Sequence, residues 1–240
     1  MPTVPRILPD LSSRYRQPEV MDSPGLEAFR HTRALLALAR INVLSLAARR
    51  TWAMVRRLPL PDRRVLRVLD VACGGGDVAI ALKSWAEREG VPLEVWGCDL
   101  SPTAVDFARG RAEERGVNAE FFQHDATTGE LPSGFDLVCS SLFLHHLSEE
   151  EVKGFLERLA KAGRVILVQD LLRTRLGYLM AEATVRVVTR SRVVRVDGPQ
   201  SVRAAFTLAE ARNLARDAGL TGARVAKCWP ERFSLHWEAV

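Results

Sequence analysis

Apolar positions change their period along the chain. Before residue 60 they recur at helical spacing: Leu26, Phe29, Leu35, Leu36, Leu38, Ile41, Leu44, Leu46 and Trp52 make an apolar surface broader than one stripe. Asp22-Ser23-Pro24 combines a capping side chain with a first-turn proline, so two helices are expected from there to about Leu58. Residues 1–20 hold Pro2, Pro5, Pro9 and Pro18 with little periodicity and read as a loose arm. After Pro59-Leu60-Pro61 the period shortens. Val65–Val71 is an apolar, β-branched run, three glycines follow, and Val78–Trp85 returns to helical spacing.

The same alternation continues downstream. Leu93–Asp99 is a second strand, and Ser101-Pro102 caps a helix to about Arg115. Ala119–Ala126, Phe135–Leu142 and Gly163–Asp170 are the next strands, with a capping box at Ser148–Glu151 opening a helix before the last of them. Leu171 to about Thr189 reads as a helix, and Arg190–Val202 carries Asp197-Gly198-Pro199. A second capping box, Thr207–Glu210, opens a helix that stops at Gly219. Val225–Trp229 and Arg232–Trp237 alternate as two strands around Pro230-Glu231. Strands alternating with helices define a doubly wound α/β fold.

Length and composition narrow the class. A chain of 240 residues suits one α/β domain with a modest extension. Cys73, Cys98, Cys139 and Cys228 form no C-x-x-C pair and no zinc spacing, so they read as small buried hydrophobes in a reducing compartment, and no metal is expected. There is no apolar run of transmembrane length, and the N-terminus does not resemble a signal peptide, so the expected location is the cytoplasm. The net charge of +5 is uneven: Ala28 to Pro61 has no acidic residue but includes Arg30, Arg33, Arg40, Arg49, Arg50, Arg56 and Arg57. Such a segment could meet nucleic acid or an anionic membrane, but a solvated arginine-rich face is the simpler reading, and no nucleic-acid partner is expected. The apolar part of this segment is also a candidate face for a homodimer.

The chemistry centres on the glycine turn. Glycines let the turn tighten and let a ligand approach the backbone, and the following helix start offers free N–H groups. Gly74-x-Gly76-x-x-Ala79 fits a dinucleotide pattern, which alone is weak. Asp70, at the strand end, would repel a pyrophosphate and suits a ligand with an ammonium and a sulfonium. Asp70-x-Ala72-x-Gly74-x-Gly76 resembles the first motif of the class I S-adenosylmethionine-dependent methyltransferases, with Ala72 in place of the first glycine. Asp99-Leu100-Ser101-Pro102 resembles the second motif, and an acid about 20 residues past the turn suits a ribose. Asp125-Ala126 stands where that family contacts adenine, and Ser141-Leu-Phe-Leu-His145-His146-Leu147 resembles the fourth motif of small-molecule and natural-product members.

The resemblance implies a seven-stranded, mostly parallel sheet with an antiparallel C-terminal hairpin and an N-terminal helical lid. It divides the chain into an arm and lid over 1–60 and a methyltransferase domain over 61–240, with an insertion at 171–206 toward the substrate pocket. It places Asp70, Ala72, Gly74 and Gly76 at the methionine end, Asp99 and Leu100 at the ribose, and Asp125 and Ala126 at the adenine, with Ser141 in the same cofactor set. The N-terminal helices read equally as a packing layer on the sheet edge, and Asn42 as either a ligand contact or a surface residue.

The implied activity is O-methylation of a hydroxylated aromatic or lipophilic small molecule in secondary metabolism. Methylation of a phenol or quinol ring carbon is the alternative. A phenol has a pKa near 10 and a histidine near 6.5, so an imidazole can take the proton during transfer. His145 and His146 are the candidate bases, each with an equally good structural reading. Asp170, expected at the rim where such sheets bind ligands, is placed to orient a histidine or accept a substrate hydroxyl. An anionic acceptor would be met by Arg173, Arg175, Arg190 or Arg192. A nicotinamide-dependent oxidoreductase and a nucleic-acid-binding protein are the rival classes.

Overall fold

The computed structural model describes residues 9–22, 25, 27–59, 65–189 and 191–239. Pro2, Pro5, Ser23, Pro24, Leu26, Leu60, Pro61 and Arg190, which entered the sequence reading, lie outside the described residues. Strands β1 (Leu66–Val71), β2 (Leu93–Asp99), β3 (Glu120–Gln123), β4 (Phe135–Ser141), β5 (Gly163–Leu171), β6 (Arg224–Cys228) and β7 (Arg232–Glu238) form one seven-stranded sheet, ordered β3-β2-β1-β4-β5-β7-β6. The first five run parallel, and β7 is antiparallel to both β5 and β6.

Helices α1 (Ala28–Ser45), α2 (Ala47–Val55), α3 (Asp77–Glu89) and α4 (Pro102–Glu114) precede β3 and β4. After them come α5 (Glu149–Ala162), α6 (Arg175–Val188), α7 (Arg192–Ala204) and α8 (Leu208–Asp217). Among the described residues, no helix is long and apolar enough to cross a membrane.

The central strands are buried on both faces, which is why they read as continuous apolar runs. In β1, Val68 packs toward α2 and α3, whereas Leu69 and Val71 pack with Phe155 and Leu159 of α5. Both expected capping boxes form: Glu151 N–H donates to the Ser148 hydroxyl (3.2 Å) and Glu210 N–H to that of Thr207 (3.2 Å). Each acid returns to the cap backbone N–H.

Two segments depart from the sequence reading. Arg190–Val202, to which the sequence reading gave no element, holds a helix from Arg192 on, with Asp197-Gly198-Pro199 inside α7. A Cβ on Gly198 would come 2.6 Å from Val185, so this glycine lets α7 pack tightly on α6. The arm is also not loose over residues 9–22. Tyr15 N–H donates to the Arg203 carbonyl (3.0 Å), and the buried Asp197 carboxylate accepts the N–H groups of Val20 and Met21 (each 3.0 Å). Polar side chains hold this strap, so apolar periodicity gave no sign of it.

Hydrogen bonds to a charged group contribute about 1.5–3 kcal/mol each. Asp197→Ala is therefore expected to raise amide hydrogen exchange at Val20 and Met21 by at least about ten-fold, with the sheet amides unchanged.

Candidate active site

The carboxyl ends of β1, β2 and β4, the arm, and helices α1, α6 and α7 enclose a cavity of about 960 Å³. At its base, Ala72, Gly74 and Gly76 all have positive φ, at 55°, 52° and 72°. Alanine can occupy this region at a cost of roughly 1–2 kcal/mol, so Ala72 keeps the turn that the motif's first glycine would make. Gly76 cannot be replaced so simply, because a Cβ there would sit 2.9 Å from the Phe121 ring. The turn is held from outside the motif as well. Gly74 N–H donates to Asp99 (2.8 Å), and Arg111 donates to the Gly75 carbonyl (2.7 Å) and pairs with Asp77. Arg111 was not a sequence candidate, since nothing in its helix distinguishes it from a solvated arginine.

Of the expected cofactor residues, Ala72, Gly74, Asp99, Leu100, Asp125, Ala126 and Ser141 line the cavity. Asp70 does not. It is buried beneath the turn, where it accepts from the Cys139 thiol (3.6 Å), and burial raises its pKa to about 7. Its contact is therefore with the base of the turn rather than with the cavity. Gly76 starts α3 behind the wall. The Asp125 carboxylate is held below its ordinary pKa by hydrogen bonds from Thr127 and then Thr128. Asn42 Oδ1, His124 Nε2 and Ser141 Oγ are buried, belong to lining residues, and have no hydrogen-bond partner among the described residues. Orphaned polar atoms along such a wall fit an elongated ligand bearing polar groups at several points.

The other half of the cavity holds the two histidines. They lie on a 3-10 turn, Leu144–His146, directly after β4. The His145 ring bonds through Nδ1 to Asp170 (2.7 Å), and Asp170 also accepts the His145 backbone N–H (2.9 Å). On its other side, His145 Nε2 lies 3.5 Å from Glu19, whose second oxygen is 4.0 Å from His146 Nε2. Asp170, expected at the rim, is instead 1% exposed behind His145. Of the two roles left open for it, the geometry realises the orienting one.

Burial draws the His145 pKa down, but the carboxylates of Asp170 and Glu19 outweigh it and raise it to about 10. Burial pushes Glu19 and Asp170 upward, and their imidazole neighbours more than reverse this, leaving both below the ordinary carboxylate range. His145 is therefore an imidazolium at neutral pH, flanked by two carboxylates. Glu19 was missed because it comes from the proline-containing arm, far from any motif. The ligand atoms of Glu19, His145 and His146 lie within 4.8 Å of one another, a spacing that could hold a divalent ion only with His145 deprotonated.

The arginines proposed for an anionic acceptor are placed elsewhere. Arg173 is buried against Glu210 (2.6 and 2.9 Å) and the Ala205 carbonyl (2.7 Å), and Arg175 and Arg192 are exposed and do not line the cavity. Arg232, at the start of β7, lines it instead.

Comparison with known proteins agrees with this geometry. The family model described as a methyltransferase domain matches residues 68–164. A demethylmenaquinone methyltransferase of Thermus thermophilus is 36% identical over 106 residues, 43% of this chain and 46% of that protein. The chain thus spans about half the length of some curated relatives that it matches. A ubiquinone biosynthesis O-methyltransferase of Thiobacillus denitrificans is 30% identical over 167 residues, 68% of this chain and 67% of that one. The structure of magnesium protoporphyrin IX methyltransferase from Synechocystis with bound S-adenosylmethionine superposes with a TM-score of 0.55, covering 92% of this chain and 88% of that one, at 18% identity. That last likeness concerns the fold alone, but the strand order, the glycine turn and the relatives together leave no place for the dinucleotide reading: the chain belongs to the class I S-adenosylmethionine-dependent methyltransferases.

Proposed function

We propose that the protein methylates an oxygen of a hydroxylated aromatic or lipophilic small molecule of secondary metabolism. One observation carries this reading: Glu19, His145 and His146, backed by the buried Asp170, line the same cavity as the glycine turn. The orphaned polar atoms of Asn42, His124 and Ser141 suit S-adenosylmethionine. Ala72, Gly74 and Asn42 would hold its methionine end, Asp99 and Leu100 its ribose, and Asp125 and Ala126 its adenine. When bound, the cofactor supplies a methyl group already activated by the sulfonium.

The protein's task is then placement and removal of one proton. His145 is already charged and cannot take it. His146, the more exposed ring, takes the acceptor proton, and the Glu19 carboxylate beside it stabilises the imidazolium that forms. His145 keeps Glu19 ionised, and Asp170 fixes the His145 ring. Leu38, Ile41, Met180 and Val185 add apolar side chains to the cavity lining, which suits a lipophilic acceptor. Ring-carbon methylation is the second reading, favoured by a relative named a ubiquinone/menaquinone biosynthesis C-methyltransferase, and the same base would serve it.

His146→Ala is expected to lower kcat on a phenolic acceptor by about 10²–10⁴-fold while leaving the affinity for S-adenosylhomocysteine unchanged. Calorimetric titration of S-adenosylhomocysteine, followed by labelled methyl transfer to a panel of phenols, measures both. Binding without transfer to any phenol, or transfer indifferent to His146, would overturn this assignment.

A further inference from the structure

Arg232 is 3% exposed, lines the cavity, and belongs to no motif of the sequence. Its Nε and Nη1 atoms are buried and have no hydrogen-bond partner among the described residues. Buried guanidinium groups are ordinarily paired, because an uncompensated charge removed from water is strongly destabilising.

The nearby carboxylates are already committed. Glu231 accepts the Thr174 hydroxyl (2.7 Å) and pairs with Lys227. Asp170 accepts from the His145 ring (2.7 Å) and the N–H groups of His145 (2.9 Å) and Leu171 (2.6 Å); its charge favours the Arg232 guanidinium, but no hydrogen bond joins the two. Arg50, which donates to the carbonyls of Ser45 and Trp229, adds a second cation to the same end. Burial lowers the Arg232 pKa to about 10, which leaves it charged at neutral pH.

We propose that Arg232 binds a carboxylate, or a comparable planar anion, of the molecule seated in this cavity. A guanidinium suits that group because it is planar, permanently charged and rich in fixed donors. The identity of the seated molecule rests on the methyl-transfer reading. The anion has two possible sources: an acidic substituent on the hydroxylated acceptor, or the carboxylate at the methionine end of the cofactor.

Arg232→Met is compared with the wild-type chain by calorimetry. The titrants are the hydroxybenzoate isomers, their carboxamides and S-adenosylhomocysteine. The hydroxybenzoates are titrated both with and without S-adenosylhomocysteine, so failure of the cofactor reading shows up separately as a wild-type protein that does not bind S-adenosylhomocysteine. In the variant, hydroxybenzoate affinity is expected to fall at least about ten-fold, with the carboxamides unaffected. A fall in S-adenosylhomocysteine affinity instead assigns the carboxylate to the cofactor, and the inference stands with that source. The thermal midpoint of the variant is expected to rise by a few degrees, because a buried, unpaired charge has been removed. Affinities that do not change for either ligand, or a midpoint that falls with them unchanged, would overturn the inference and mark Arg232 as a structural prop.

Discussion

Asp99→Ala is expected to weaken S-adenosylhomocysteine binding by about a hundred-fold or more. The carboxylate ties the glycine turn to the end of β2, accepting from Gly74 N–H (2.8 Å) and Ser101 N–H (2.9 Å), and it lines the cavity where the ribose would lie. Hydrogen bonds to a charged group are worth about 1.5–3 kcal/mol each, and about 1.4 kcal/mol is a factor of ten. Removing the group loosens the turn and would delete the proposed ribose contact together. Asp99→Asn keeps one acceptor oxygen, so its loss should be nearer ten-fold. Calorimetry on both variants decides the matter. Wild-type affinity in Asp99→Ala would mean that the ligand does not use the end of β2.

His145→Ala should be the most damaging single change to stability. It leaves Asp170 buried without its cation, and breaking such a pair typically costs about 3–5 kcal/mol. For a domain of this size each kcal/mol moves the midpoint by about 2–4 °C, so a fall of roughly 10 °C is expected by calorimetric melting. The double variant His145→Gln with Asp170→Asn keeps hydrogen-bonding groups without the charges and should recover most of that loss. If the double variant melts as low as the single one, the ion pair is not the cause.

The pH dependence follows from the directions of the shifts. His145, raised to about 10, contributes fully below the unfolded imidazole value near 6.5, and the contribution fades as pH climbs through its folded value. Asp170, lowered, contributes above about 4 and loses its contribution as pH falls through its folded value. The stabilisation from this pair is therefore greatest between about pH 4 and 6.5.

The strands and the glycine turn that opens onto the cavity were legible because local chemistry announces them. Glycines at positive φ, acids at strand ends and the two capping boxes are short-range requirements that a few adjacent residues must meet. The acceptor half was harder to read. Glu19 reaches the histidines on an arm that Asp197 and Arg203 help to anchor, and both anchors lie on a helix whose Gly198-Pro199 looks like a breaker. The arginines that would meet an anionic acceptor, Arg173, Arg175, Arg190 and Arg192, belong to the insertion, and those of them described do not line the cavity. The chain brings Arg232 there from β7, whose insertion between β5 and β6 decides the matter. Asp70 differs from these residues: its type suggested a ligand contact, while its place in a strand buried on both faces directs it beneath the turn.

The strand order also bears on how the molecule is made. Among the described residues β6 pairs only with β7, and the two are separated only by the turn Trp229–Glu231, so they can close early as a local hairpin. That hairpin must then reach β5 across the intervening helices α6, α7 and α8, which is the slow, non-local step. Until it docks, Val165–Asp170, fully covered in the finished sheet, forms an open edge running through the middle of the structure. An unfinished copy of the same chain offers an equivalent edge, so recovery from denaturant should decline as protein concentration rises, and the loss should be traceable to β5.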